Sequence, residues 1–452
     1  MNAEAQPLEI ALDLLEAEKF DLAAEELKSQ PSEDVAFVLE RAATEHSVAV
    51  LIRLPDLLAG EALVDASTEP VKAIVAELPD DYLARILDIL PMDDASELRD
   101  EVGESRFERL LEMIPEEDAG EIERLLSYPE DSVAREITEH FFRVRPTDTM
   151  NDVLADLRAA KEDDYESVSE LYVISDSGVL KGVFSLRKGL RADPTIPVSE
   201  LMNTELIAVS VQETAETAAR RMAKYGFYGL PVLDEAGRMV GLFMGDDAQE
   251  IIEEADSEDQ LKLGAVSGPV ETYISLSVWQ LARRRLPWLA ALFVAETFTG
   301  MVMRHYGQSE ELSLVPLTFF IPLLIGAGGN TGSQVTTTLT RALALGEVTS
   351  RDWFLVLRRE VLTALLIGAA LGVIGYVRAL YGWNTSPELS MVIGIALPSI
   401  VLWAGLVGSL LPLAARRLGI DPAVMSAPFI TTFVDATGLV IYFEIARRIL
   451  PI

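Results

Sequence analysis

The sequence predicts a multi-domain membrane protein: an all-α superhelical N-terminal domain, a duplicated α/β unit, a connecting helix and an α-helical transmembrane domain with five spans. Three observations predict it. Long apolar stretches are absent before Arg285 and recur from there to the C-terminus. The formal net charge of -35 arises entirely in front of that point: residues 286–452 carry ten charges of each sign, whereas residues 1–285 carry 62 acidic and 27 basic side chains. A strand–turn–strand pattern also occurs twice within the front part, 59 residues apart.

Composition narrows the chemistry. Packed like charges repel and oppose a compact state, so this acidic excess is a reason to bind divalent cations and argues against a nucleic-acid partner. The chain has no cysteine, and its three histidines, His46, His140 and His305, are scattered. Disulfides, iron–sulfur clusters and thiolate zinc sites are excluded, and a multi-histidine site within one subunit is not expected. A metal handled here meets carboxylate and carbonyl oxygens, hard ligands suited to magnesium or calcium. No nucleophile–base set stands out, so an enzyme is not expected. The N-terminus lacks a basic region leading into an apolar run; no cleaved signal peptide is expected, and the acidic part is expected in the cytoplasm.

Residues 1–140 repeat one device. Apolar residues at helical spacing are followed by a proline and then by acids: Leu78-Pro79-Asp80-Asp81, Leu90-Pro91-Met92-Asp93-Asp94, Ile114-Pro115-Glu116-Glu117-Asp118 and Tyr128-Pro129-Glu130-Asp131. Proline ends one helix or opens the next, and acids favour a helix N-terminus. Segments such as Val71–Leu78, Tyr82–Leu90 and Phe107–Ile114 are too short to be stable alone. Stacked, they bury a continuous stripe, as solenoids do.

Residues 141–252 change character. Leu171 to Phe184 and Leu230 to Phe243 each read as strand, tight turn and strand, with Val173 aligned to Val232 and Gly182 to Gly241. Each hairpin is preceded by a helix, Thr149–Lys161 or Thr214–Tyr225, and by a short strand containing Val144 or Val209. Each is followed by a helix beginning near Leu186 or Asp246. Asp176-Ser-Gly and Asp234-Glu-Ala-Gly supply the turn chemistry. These repeats resemble a pair of CBS domains, and the resemblance implies adenine nucleotide, ATP included, as a candidate ligand of the cleft between them. No phosphate-cradling glycine loop is visible.

Residues 253–285 connect the two halves. They open on Glu253, Glu254, Asp256, Glu258 and Asp259; the stretch Tyr273–Leu286 has near-helical apolar spacing and carries Arg283-Arg284-Arg285, a marker of the cytoplasmic side.

In residues 286–452 five spans fit: Leu286–Met303, Leu312–Leu343, Trp353–Leu380, Leu389–Ala415 and Pro422–Ile445, each near or above the roughly 20 residues needed to cross a bilayer. Basic residues at Arg351, Arg358, Arg359, Arg416 and Arg417 mark the inside; the loops His305–Glu311 and Tyr381–Glu388 are poor in them and mark the outside. Five crossings then put the C-terminus outside, against the pair Arg447 and Arg448. The second span is interrupted by Pro316, Pro322 and Gly326-Ala-Gly-Gly-Asn-Thr-Gly-Ser-Gln334, a composition expected to kink or partly unwind it; irregular backbone at this depth must line a wet cavity or be buried in protein. The other reading of the glycines is a small-residue helix contact. Asp435 stands mid-span, where a carboxylate marks a conduction or coupling path. Glu296, in the first span, is a second intramembrane acid with no assigned role.

The Gly-Gly-Asn-Thr-Gly-Ser-Gln run, Asp421-Pro422-Ala423 and Pro428-Phe-Ile-Thr-Thr…Asp435, behind an acidic helical domain and a CBS pair, resemble the MgtE family of magnesium channels over essentially the whole chain. The resemblance implies a homodimer in an inner membrane, a central pore, and an acidic cytosolic part that senses magnesium and closes the pore when the ion is abundant. Asp435 is the first candidate pore ligand and Asn330 the second, with Gly328, Gly329 and Thr331 completing the site. Sensing candidates are Glu254, Glu258 and Asp259 on the connector, Asp246, Asp247 and Glu250 at the end of the CBS pair, Asp93 and Asp94 in the helical domain, and Asp421. Family members often carry an acid where this chain has Gly226, and Gly-Arg-Leu-Met near Val133-Ala-Arg-Glu-Ile137, so the regulatory set differs in detail. The alternative is a secondary transporter that couples a cation to protons through Asp435 and Glu296.

Overall fold

The computed structural model describes residues 5–161, 165, 167–273, 276–308 and 314–450. The predicted loop His305–Glu311 and the start of the second span at Leu312 lie partly outside them. The chain forms two compact units. One runs to Ala255 and takes in Glu271–Leu276; the other comprises Asp256–Val270 and the chain from Ser277 onward.

In the first unit, short helices begin where proline and acids coincide. Pro31, Pro55, Pro79, Pro91 and Pro115 are N-caps with extended backbone, and each is followed by acids in the first helical turn. Alternate helices stack: Phe20–Leu27 on Thr44–Leu51 on Thr68–Glu77, and Ser32–Leu39 on Asp56–Val64 on Asp80–Ile89. None is long enough to persist alone in water. One continuous core from Leu8 to Ile122 holds them, and each fully buried leucine adds about 1.5–3 kcal/mol. Arg106 ties one layer to the next. Its guanidinium donates to the carbonyls of Val75 and Leu78 at a helix C-terminus, and to Asp80 Oδ1 at 2.7 Å. The fourth proline–acid motif behaves differently from expectation. After Pro129 the chain makes a turn, and Ser132 caps the short 3-10 helix Val133–Arg135 instead of an α-helix. Backbone bonds from this segment to the second α/β repeat, Val133 N–H to Glu213 O and the Thr138–Leu242 pair, redirect it.

The duplication has the register that the alignment implies. Strands β1 (Phe141–Val144), β2 (Ser167–Ile174) and β3 (Leu180–Ser185) form one sheet; β4 (Val209–Ser210), β5 (Gly229–Leu233) and β6 (Met239–Met244) form the other. In each the first pair is parallel and the second antiparallel, and Val173 faces Gly182 as Val232 faces Gly241. Both turns need a left-handed residue, supplied by Gly178 and Gly237. The turns meet: Leu180 N–H bonds to Gly237 O and Met239 N–H to Gly178 O. Helix Gly245–Leu263 follows β6 and continues through the predicted boundary at residue 252.

The second unit contains five long helices among the described residues: first Val278–Gly307, second Ile321–Ala344, third Trp353–Val377, fourth Pro387–Arg417 and fifth Ala427–Ile449. Four are long and apolar enough to cross a membrane; the second, 24 residues long, falls short because of its polar middle. Two expectations need correction. The glycine run does not unwind the second helix: Gly326 to Gln334 are helical throughout, and the break falls earlier, at Phe319–Phe320, ahead of Pro322. A helix starting near Tyr273 is also absent among the described residues; the first long helix begins at Val278, behind a Ser277–Gln280 capping box.

The helices pack through glycine. A Cβ on Gly368 would lie 2.9 Å from Pro398 Cα, and one on Gly372 would lie 2.7 Å from Gly394 O. These are backbone contacts, which cannot yield as a flexible side chain does. Gly300, by contrast, has nothing within 4 Å of such an atom. Gly372→Ala is therefore expected to destabilise the detergent-solubilised protein by about 1–3 kcal/mol, the usual cost of overpacking, while Gly300→Ala is neutral or mildly stabilising. Thermal unfolding followed by tryptophan fluorescence reads this unit, since all five tryptophans lie beyond residue 278.

Candidate functional sites

The first unit holds an acidic basin of about 350 Å³, lined by Glu61, Asp65, Asp93, Asp94, Glu97, Glu136, Asp247, Glu250 and Glu254, with no basic side chain in its wall. Four pieces of chain supply them. Glu61 and Asp65 stand one turn apart at the end of helix Asp56–Val64; Asp93, Asp94 and Glu97 come from Met92–Glu97; Glu136 follows the 3-10 turn stitched to the second repeat; and Asp247, Glu250 and Glu254 come from helix Gly245–Leu263.

Burial and mutual repulsion make these acids hold their protons. Burial pushes Glu97 up to about 9, with Glu136 and Asp94 adding repulsion, and pushes Asp94 up to about 8, with Asp93 next. Glu136 rises to about 7 by burial and the charge of Asp93. Asp93, only 8% exposed, is raised chiefly by burial. Glu61, Asp65 and Glu250 shift the same way for the same first reason. The donors are all hard oxygens. Among the described residues no three carboxylates or imidazoles converge closely enough to form a ready-made ion cage. The basin thus suits a cation that keeps part of its water, with water bridging the gaps, as magnesium does.

The sequence pointed to Asp93, Asp94, Asp247, Glu250 and Glu254, which meet here. It missed Glu61, Asp65, Glu97 and Glu136. Helical spacing was the available signal for one of them: Glu97 lies one turn beyond Asp93 and Asp94. Asp246 is exposed outside the lining, though its charge reaches Asp93. Glu258 and Asp421 lie in the second unit, where Lys262 Nζ sits between them at 3.0 and 2.9 Å, an ammonium where a metal ligand pair was expected. Asp421 also caps the 3-10 turn Pro422–Val424, accepting from Ala423 N–H at 2.9 Å. Asp259 is part-buried in that unit and is not in the basin wall.

The second candidate site is on the fifth long helix. Asp435 is half-buried against the second helix: its Oδ1 lies 3.4 Å from where a Gly329 Cβ would stand, and it is buried without a hydrogen-bond partner. Gly329 is required here, because its Cβ would also come within 2.7 Å of the Thr431 methyl. Gly328 packs on Ile400 and Val434, and Thr331 donates to its own helix at Ala327 O, 2.8 Å. Asn330, next to Gly329, is exposed on the surface of this unit. The glycine run is thus a close helix contact that seats an acid, with Asp435 and Gly329 brought together and Asn330 beside them.

A third feature is the cleft between the α/β repeats, about 340 Å³, walled by Tyr172, Phe184, Ile207, Phe227 and Pro231, with Lys188, Asn203 and Glu205 at its polar side.

The basin sets a pH dependence. In an unfolded chain these acids lose their protons near pH 4; in the folded basin Glu136, Asp94 and Glu97 keep them to about 7, 8 and 9. Between those limits the folded form binds more protons, so its stability falls as pH rises. With divalent cations chelated, hydrogen exchange at Met92–Glu97 in the full-length protein, corrected for intrinsic rate, is expected to lose protection between about pH 6 and about pH 9, and Asp94→Asn with Glu97→Gln should flatten the loss. Protection that grows over this range would contradict the basin's electrostatics.

Comparisons with known proteins agree with this architecture. Family models match residues 30–131 as an MgtE intracellular N domain, residues 198–254 as a CBS domain, and residues 321–445 as an MgtE divalent cation transporter. The chain is 39% identical over 73% of its length to a magnesium transporter MgtE from Thermus thermophilus, covering 72% of that protein. It is 31% identical over 72% of its length to the one from Bacillus subtilis, covering 71%. A crystal structure of the cytosolic domain of the Mg2+ channel MgtE in complex with ATP superposes with a TM-score of 0.51 at 33% identity, covering 54% of this chain and 99% of that one. The soluble part of a magnesium transporter shares the fold, with a TM-score of 0.50 at 21% identity, over 56% of this chain and 99% of that one. With an acidic basin in its first unit, a carboxylate seated between packed apolar helices in its second, and family matches in both, this chain is an integral membrane protein of the MgtE family of divalent cation transporters.

Proposed function

We propose that the protein is a magnesium channel whose opening is governed by magnesium bound in the acidic basin. The observation that carries the reading is Asp435, whose oxygen is buried among apolar helices with no partner. Such a group is costly in the hydrocarbon unless a cation or water meets it. In a two-fold dimer it appears twice across the axis, and two carboxylates hold a doubly charged ion far more strongly than a singly charged one. Asn330, with the backbone at Gly328, Gly329 and Thr331, completes the hydrated ion's surroundings in the partnered state. The relatives' role in magnesium transport supports the choice of ion.

The basin is the sensor. A divalent ion there replaces protons and neutralises the repulsion among Asp94, Glu97 and Glu136, binding together elements from both ends of the first unit. When magnesium falls, the repulsion returns and the unit loosens. Glu258 and Asp259 on the connector, with Asp421 between the fourth and fifth long helices, form a subsidiary set in which a divalent ion competes with Lys262. The cleft at Tyr172 and Phe227 takes adenine nucleotide in this reading, consistent with the ATP bound by the structural relative.

Five spans are proposed, with the second long helix crossing beside the fourth and fifth despite its polar middle. The soluble unit then faces the cytoplasm and the C-terminus lies outside an inner membrane. The pair Arg447 and Arg448 opposes this orientation and is outweighed by the basic residues at Arg283–Arg285, Arg351, Arg358, Arg359, Arg416 and Arg417. A second reading, proton-coupled transport, draws on the two intramembrane acids Glu296 and Asp435.

Purified protein in liposomes tests both parts. Asp435→Asn is expected to lower magnesium flux on the order of a hundredfold while leaving an intact oligomer. Asp94→Asn with Glu97→Gln is expected to weaken the inhibition of flux by magnesium on the side of the soluble unit. Flux that requires a proton gradient and never appears as single-channel current would favour the carrier.

A further inference from the structure

Glu296 has no role in the function described so far, yet it is the harder group to excuse. It lies in the first long helix, exposed on the surface of the single subunit, and no described lysine or arginine forms an ion pair with it. An unpaired carboxylate facing hydrocarbon costs several kcal/mol on most scales. A purely structural acid would be expected to carry a partner.

The packing of the first helix on the fifth gives its address. Near one end, the Tyr306 hydroxyl donates to Glu444 Oε1 at 2.9 Å, and the Tyr306 ring stacks 4.9 Å from Phe443. Glu296 precedes Tyr306 by ten residues and Asp435 precedes Glu444 by nine. At 1.5 Å per residue both steps back are about 14–15 Å, so two helices running the same way bring Glu296 level with Asp435. Thr299, one turn beyond Glu296, gives an independent sign. It is only 7% exposed on a helix otherwise largely bare, and its Oγ1 has no hydrogen-bond partner. Asp435 Oδ1, on the side of the fifth helix that meets Gly329, is a second buried oxygen without a partner. A buried unpartnered hydroxyl one turn from an unpaired carboxylate, level with a second unpartnered acid, is a set of hard oxygens suited to a cation and its water.

We infer that Glu296 is a second cation-contacting carboxylate of the conduction path, forming with Asp435 a pair that takes a hydrated divalent cation and sets the preference for divalent over monovalent ions. The inference rests on Asp435 being the pore acid. One carboxylate leaves a dication half-neutralised in a medium of low dielectric; two neutralise it, and they leave a monovalent ion with excess negative charge. All the donors are hard oxygens, and carboxylates placed apart accept hydrogen bonds from the ion's water instead of stripping it.

The test uses full-length protein in liposomes, with magnesium and potassium fluxes measured for wild type, Glu296→Gln, Glu296→Asp and Asp435→Asn. Glu296→Gln is expected to raise the half-saturating magnesium concentration and to lower the magnesium-to-potassium flux ratio, each on the order of tenfold, with Glu296→Asp keeping most of both. Because the chain has no cysteine, Glu296→Cys supplies a unique thiol. A water-soluble anionic thiol reagent should label it, and the added negative charge should restore the divalent preference, which a packing role would not predict. Wild-type half-saturation and flux ratio in Glu296→Gln, or a Glu296→Cys thiol reached only by membrane-partitioning reagents, would overturn the assignment. If Asp435→Asn transports normally, the pore reading itself fails; if Asp435→Asn is silent while Glu296→Gln is unchanged, only the role of Glu296 fails.

Discussion

Carboxylates kept from water without a matching positive charge are the constraint on which this structure turns. Ionising such a group in a poorly solvated place is expensive, and each neighbour of the same sign adds to the cost. In the acidic basin nine carboxylates share one wall, and their protons are retained up to about pH 7–9 at Glu136, Asp94 and Glu97. A fold that only needed solubility would spread these charges over its surface. Gathering them instead stores a repulsion that a proton or a divalent cation can release, so the stability of the first unit becomes a function of what is dissolved around it.

The scaffold that holds this charge is conservative by comparison. Short helices bury one continuous apolar stripe, and Arg106 donates to the carbonyls of Val75 and Leu78 while engaging Asp80. The acids of the basin therefore sit on ordinary helix starts and ends, and no strained backbone is needed to present them. The duplicated α/β unit contributes in the same way. Its two hairpin turns hydrogen-bond to each other, and its last helix brings Asp247, Glu250 and Glu254 to a wall begun by Asp93 and Asp94.

Local rules made part of this legible in the sequence. Proline followed by acids marked helix starts at Pro79, Pro91 and Pro115 because capping depends on neighbours in the chain. The pairing of Val173 with Gly182, and of Val232 with Gly241, was readable because hairpin register is fixed by the turn. The same rule failed at Pro129, where bonds from Val133 and Thr138 to a segment far along the chain decide the outcome. Glu136 was missed for that reason: its neighbours in the basin come from helices far away in sequence. The glycine run of the second long helix was half legible. Its composition argued for loosened backbone, but at membrane depth each backbone group needs a partner, and an intact helix supplies it while the missing side chains admit Thr431 and Asp435.

The two units answer one electrostatic problem with opposite boundary conditions. In the basin, water has access and protons can occupy the carboxylates, so a cation has something to displace and its binding is graded by pH. Among the long helices Asp435 is the one acid in the middle of its helix, and a close glycine contact rather than solvent borders it. On the proposed reading, a cation there competes with bare desolvation instead of with a crowd of protons. The first arrangement favours an ion that lingers and holds distant pieces of chain together. The second favours an ion that is attracted but met by few fixed ligands, which is what passage through a membrane requires.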